Sequence, residues 1–272
     1  MNDKFKNLIS SSNILSKLYN ALDRTNRDVF FKIRLDAYPR NQYAYLVYCG
    51  ALGARRLNIP RIAVLEFGVA GGNGLLQMED IAAEVEAAFD IRIDVHGFDS
   101  GEGMPPPLDY RDAPHVWKQA DFVIDSAALK KRLRRAELHL GNVSETVPKF
   151  REASHAPIAA ISFDLDYYSS TVAAFRIFED PCILPRVMCY FDDIANGPVE
   201  AISSLAGERR AIADYNAAHA DKIIDPDWSL DAVANSHAFV RWASRIRIWH
   251  DVNHPRATDY VGSGDPAALS LR

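Results

Sequence analysis

The chain is poor in cysteine, has no long apolar run and carries no large excess of either charge. Cys49, Cys182 and Cys189 are odd in number and show neither C-x-x-C nor any other metal-ligand spacing. That argues against a disulfide framework and a cysteine-bound metal, and predicts reduced, mostly buried thiols in a cytoplasmic protein. No segment approaches the ~20 apolar residues of a membrane span. The N-terminus lacks an apolar core followed by a small-residue cleavage site, so no membrane role is expected. A net charge of −5 speaks against nucleic acid as the main partner. The one dense basic cluster, Lys130 to Arg135, reads as the solvated face of a helix.

What is present is the balance of a globular protein: 272 residues, 48% apolar and 25% charged, enough for one sizeable domain with extensions. Its organising stretch is Arg61 to Gly74. Ile62 to Leu65 is a short apolar run that reads as a buried strand, and Gly68, Gly71, Gly72 and Gly74 follow it. Leu75, Met78, Ile81, Val85 and Phe89 then recur at helical spacing. Strand, glycine turn and helix open a nucleotide-binding α/β sheet, where a side chain in the turn would hold the backbone away from the ligand. The spacing is G-x-x-G-G-x-G, unlike the G-x-G-x-x-G of dinucleotide enzymes, which disfavours an NAD-dependent oxidoreductase.

Before this stretch, apolar stripes predict helices over 4–22 and 41–57, the second carrying Tyr43, Tyr45 and Tyr48. Pro60 separates this helical extension, residues 1–60, from a domain spanning 61–272. Such an extension caps a cofactor cleft or supplies a homodimer contact. After it, strands are expected over 91–98, 137–140, 158–163 and 186–191, alternating with helices over 121–135, about 143–150, 169–178 and 198–218. Strand–helix alternation predicts a doubly wound, mostly parallel sheet. Two further strands, 239–242 and 245–249, would close it as an antiparallel pair. His250, Asp251, His254 and Asp259 follow in what reads as a loop, because Pro255 opposes a zinc-binding helix.

The chemistry gathers where predicted strands end. Asp99 closes the second strand, where a carboxylate can accept both ribose hydroxyls; a plain turn carboxylate is the alternative. Asn142, after the third strand, could bind an adenine amine or equally cap the next helix. Asp164 and Asp166 follow the fourth strand, and Asp192 and Asp193 the fifth. Carboxylates converging there repel one another unless a cation lies between them, and oxygen-only ligands suit Mg²⁺, Ca²⁺ or Mn²⁺. Helix capping is the competing use for some of the four.

With these residues placed, the chain resembles a class I S-adenosylmethionine-dependent methyltransferase, nearest to the macrocin O-methyltransferase (TylF/MycF-like) family. The carrying motifs are E-F-G-V-A-G-G-N-G (66–74), H-G-F-D-S-G-E-G-M-P (96–105), L-G-N-V-S-E-T-V-P (140–148), F-D-L-D-Y-Y-S-S-T (163–171) and Y-F-D-D-I (190–194), in family order over about half the chain. The resemblance implies a seven-stranded Rossmann-like sheet. It implies that Glu66, Gly68 and Gly72 line the methionine part of the cofactor, that Asp99, with Ser100 beside it, holds the ribose, and that Asn142 sits by the adenine. It implies metal ligation, by Mg²⁺ above all, at Asp164, Asp192 and Asp193. The expected reaction is O-methylation of a hydroxyl on a glycosidic or similar small molecule, with Asp164 and Asp166 catalytic and Asp166 as general base. A metal-independent methyltransferase and a non-catalytic partner-binding protein of the same fold are the alternatives.

Overall fold

In a computed structural model, residues 28–195, 203–230 and 240–262 are described, without the side chains of 240 and 241. The helix expected over 4–22 and the start of the one expected from 198 lie outside them. Seven strands form one sheet: β1 (Arg61–Phe67), β2 (Arg92–Asp99), β3 (Glu137–Leu140), β4 (Ile158–Phe163), β5 (Ile183–Phe191), β6 (Lys222–Pro226) and β7 (Ile246–Asp251). Their order is β3-β2-β1-β4-β5-β7-β6. The first five are parallel, and β7 runs antiparallel between β5 and β6.

Helices cover both faces, as an internal parallel sheet requires. After α1 (Val29–Arg34), α2 (Asn41–Arg56) packs on β4, β5 and on α3 (Asn73–Phe89). Gly50 lets α2 come close: a Cβ there would stand 3.0 Å from the carbonyl oxygen of Ala159. After α4 (Ser126–Arg132), the other side is formed by α5 (Val143–Glu152), α6 (Tyr168–Ala174) and α7 (Gly207–Ala218). No described helix is long and apolar enough to cross a membrane.

One feature of the core sets the geometry of the site. Phe98, Phe67, Phe163 and Phe191 occupy matching register positions on four adjacent strands. Their buried rings follow one another across the sheet at centroid separations of 4.7, 5.4 and 4.7 Å. The residue after each is Asp99, Gly68, Asp164 or Asp192. One aromatic rung therefore places four candidate site residues at the same height.

Three expectations need correction. The antiparallel partner of β7 is β6, at 222–226, where the pattern gave no strand; residues 240–243 form a short helix, α8 (Val240–Ala243). The mixed polarity of K-I-I-D-P hides β6, and its half-exposed edge position explains why. The basic cluster is only partly a solvated helix face. Lys130 to Arg132 end α4, whereas Arg134 pairs with Glu79 and Asp80, and Arg135 with Glu86. The buried Glu79 carboxylate also accepts the backbone N–H groups of 134, 135 and 136, pinning the entry to β3. Finally, His250 and Asp251 lie within β7 rather than in a loop.

Candidate active site

The turn after β1 is built on three left-handed residues, Gly68 (φ +84°), Ala70 (φ +43°) and Gly72 (φ +79°), the last starting α3. Asp99 locks it from the neighbouring strand. Its Oδ2 accepts the backbone N–H groups of Val69 (3.0 Å) and Ala70 (2.9 Å), and its Oδ1 that of Gly101 (2.7 Å). A carboxylate oxygen can accept two hydrogen bonds, so Oδ1 keeps a position for a ligand hydroxyl. Ser100 bonds within the same loop, its hydroxyl donating to the carbonyl of Gly103 at 2.7 Å. Asn142 uses its side-chain oxygen as the cap of α5, accepting Ser144 N–H and Ser144 O–H at 2.9 and 2.7 Å. The cap is thus the role its oxygen fills, while the residue remains on the cleft wall.

A cleft of about 330 Å³ opens above the rung. Gly68, Asp99, Ser100 and Asn142 line one end, and Asp164, Asp166, Asp192 and Asp193 the other. Trp117 and Phe122, with rings 5.9 Å apart, close it from the 101–125 loop. Glu66 and Gly72 sit behind this lining. The Glu66 carboxylate is buried: Oε1 accepts the Tyr43 hydroxyl at 2.6 Å, and Oε2 has no partner. Burial pushes its pKa up to about 7, against the pull of the Tyr43 hydroxyl and the Arg40 charge. Gly74 leaves room for it, since a Cβ there would fall 2.0 Å from Oε1.

The acidic end is crowded. Asp193 Oδ2 accepts the N–H of Asp166, which sits in the left-handed region at φ +57°. Glu208, fully buried on α7, accepts the N–H of Asp193 at 2.9 Å. Asp192 is held by Arg245 at 2.7 Å and by the hydroxyl of Tyr190. Burial, and then the charges of Asp192 and Asp193, drive Asp164 well above the usual carboxylate range. Burial and the neighbouring Asp193 push Asp166 up to about 9, and burial with Asp193 raises Glu208 strongly. Arg40, Tyr43, Glu208 and Arg245 carry no spacing signal; they reach the site from α2, α7 and the turn before β7.

These shifts fix the sign of one pH dependence. The raised acids bind protons in the folded chain at pH values where the unfolded chain has released them, so stability falls as pH rises. The window runs from the ordinary carboxylate pKa near ~4 to about 9 for Asp166. Melting temperature of the ligand-free protein is expected to drop steadily from pH 5 to pH 9. A flat or rising profile by calorimetry would show that the acids are not held protonated together.

Hard oxygen donors in excess fit a divalent cation by chemistry. The geometry is more open. Among the described residues, Asp164, Asp192 and Asp193 do not bring their oxygens within 4.8 Å of one another as a set, and Arg245 occupies one oxygen of Asp192. The glycine-turn end combines left-handed glycines with a buried, unpaired Glu66 oxygen behind them.

No family description matches the chain, and no curated protein matches it by sequence. Solved structures do. A calicheamicin methyltransferase, CalS11, is 24% identical over 74% of this chain and 83% of its own, with a TM-score of 0.50. The O-methyltransferase NovP is 16% identical over 78% of this chain and 80% of its own, with a TM-score of 0.53. The chain has the fold of the class I methyltransferases. In that methyltransferase fold, the glycine turn and the aspartates meet at the carboxyl edge of the sheet, on either side of the crossover between β1 and β4.

Proposed function

We propose that the chain is an S-adenosylmethionine-dependent O-methyltransferase acting on a hydroxyl of a sugar-bearing or similar secondary-metabolite-like small molecule. One observation carries this reading: a single cleft is lined by the glycine turn at one end and by four aspartates at the other. The fold shared with CalS11 and NovP supports the reaction class. The first end offers Asp99 for ribose, with Ser100 and Asn142 along the wall, and the partnerless Glu66 oxygen behind the turn would take the amino-acid ammonium group. The second suits hydroxyl groups, and the Trp117–Phe122 wall suits an apolar body attached to them.

Asp164, Asp192 and Asp193 would hold a divalent cation, Mg²⁺ above all, whose contribution is to lower the pKa of a bound hydroxyl. Arg245 and Tyr190 hold Asp192 through Oδ1, so Asp192 would join that donor set through Oδ2. Asp166 serves as base, and it can accept a proton only after its own has left, which neutralising the surrounding carboxylates brings about. A second reading, direct binding of acceptor hydroxyls by the aspartates, draws support from the Asp192–Arg245 pair and the spread of the three carboxylates. The division at residue 60 belongs to the same proposal, with the extension capping the cleft through Tyr43 or joining two copies.

Calorimetric titration should show one S-adenosylhomocysteine bound per chain and no binding of NAD⁺. Labelled S-adenosylmethionine with a panel of glycosides should then yield O-methyl products. Chelator should abolish transfer and Mg²⁺ restore it. Transfer that persists in chelator supports direct hydroxyl binding, and failure to bind S-adenosylhomocysteine overturns the enzyme reading.

A further inference from the structure

A second cluster lies away from the cleft. His96 of β2 and Glu137 of β3 are register partners, and His139 follows two residues along β3, on the same face. His96 Nδ1 and His139 Nε2 stand 3.2 Å apart. Glu137 reaches them with Oε2 at 3.7 Å from His96 Nδ1 and Oε1 at 4.0 Å from His139 Nε2. Among the described residues, this is the one group of three potential ligands whose donor atoms all lie within 4.8 Å of one another. Zinc-class ions bind nitrogen and oxygen at about 2.0–2.2 Å, which separates neighbouring ligands by roughly 3.3 Å. The two rings already meet that spacing. Glu137, largely exposed, can turn to close the remaining few tenths.

A hydrogen bond between the rings would account for the 3.2 Å contact but not for the carboxylate that faces both ring nitrogens, at 3.7 and 4.0 Å. Burial, then the proximity of His139, lowers the His96 pKa to about 4, so protons do not compete for its ring nitrogen at neutral pH. A cavity of about 480 Å³ opens on His96 and Glu137 and gives water access to further coordination positions. The two arginines on its rim are already matched, Arg61 by Asp94 and Arg135 by Glu86.

We propose that His96, Glu137 and His139 form a binding site for a divalent first-row transition ion of the zinc class. Two imidazoles and one carboxylate with open positions select such an ion over Mg²⁺. The ion would clip the edge strand β3 to β2, the strands that lead into Asn142 and Asp99. This inference is independent of the reading of the cleft.

The test uses the full chain, stripped with chelator and titrated with Co²⁺ in the presence of excess Mg²⁺. One Co²⁺ per chain should bind with the intense visible absorption of a low-coordinate nitrogen-bearing site, and Zn²⁺ should displace it. The absorption should vanish in His139→Ala, and Co²⁺ should bind at least tenfold more weakly to Glu137→Gln. Circular dichroism of both variants that matches the chelator-stripped parent chain reports an intact fold. A pale octahedral spectrum, or one identical in His139→Ala, overturns the proposal.

Discussion

Gly68→Ala should lose both stability and cofactor binding, while Gly71→Ala, three residues on in the same turn, should lose neither. A Cβ at Gly68 would fall 1.8 Å from the carbonyl oxygen of Asp164, a backbone atom fixed by the sheet, at φ +84°. The Asp164 N–H donates to the Phe67 carbonyl and the Gly68 N–H to that of Phe98, so neither strand can yield without breaking the ladder. Left-handed strain and a backbone clash together cost roughly 3 kcal/mol or more. In a domain of this size that lowers the melting temperature by roughly 6–12 °C. At Gly71 a Cβ meets nothing within 4 Å and φ is not positive, so alanine there should be neutral to about 0.5 kcal/mol. Gly74→Ala should act in between and through chemistry, by pushing the Glu66 carboxylate aside. Thermal denaturation and S-adenosylhomocysteine calorimetry on the three variants check the ranking. An unshifted melting point for Gly68→Ala would mean that the turn is far looser than its geometry.

The second large effect concerns Glu66 and pH. With its pKa near 7, the free carboxyl is mostly protonated at pH 6 and mostly ionised at pH 8. A ligand ammonium group binds the ionised form, so S-adenosylhomocysteine affinity should rise about tenfold per pH unit below 7 and level off above it. Binding at pH 6 should therefore release close to one proton, readable from the dependence of binding heat on buffer. Glu66→Gln preserves shape and the Tyr43 contact but removes the charge. It should flatten the profile and weaken binding at pH 8 by about 10- to 100-fold, the worth of a charged hydrogen bond. A profile that keeps its slope in Glu66→Gln would place the titrating group elsewhere and leave Glu66 a buried packing residue.

Much of this site could be read from the chain because it is written in strand ends. Apolar runs followed at once by glycine or aspartate located β1, β3, β4 and β5 closely, and with them Gly68, Asp164, Asp192 and Asp193. Residues that arrive from elsewhere could not be found that way. Tyr43 reads as part of an aromatic helix stripe, yet its hydroxyl reaches across from α2 to Glu66. Glu208 looks like an ordinary first-turn acid until α7 buries it against Asp193. Arg245 precedes β7, and only the antiparallel return of that strand beside β5 brings it to Asp192. Asn142 shows the opposite limit. Both of its uses were legible, and only the helix start at Val143 decided how its oxygen is spent.

The shared height of the four phenylalanines has an implication for descent. Asp99, Gly68, Asp164 and Asp192 are levelled by a row of buried rings inside the sheet, whereas Trp117 and Phe122 belong to a connecting segment that no strand constrains. Duplicated copies of such a protein can rewrite that segment by insertion or replacement without tilting the platform beneath. Under the proposed methyl transfer, novelty should therefore accumulate in what is modified long before it reaches how the modification is made.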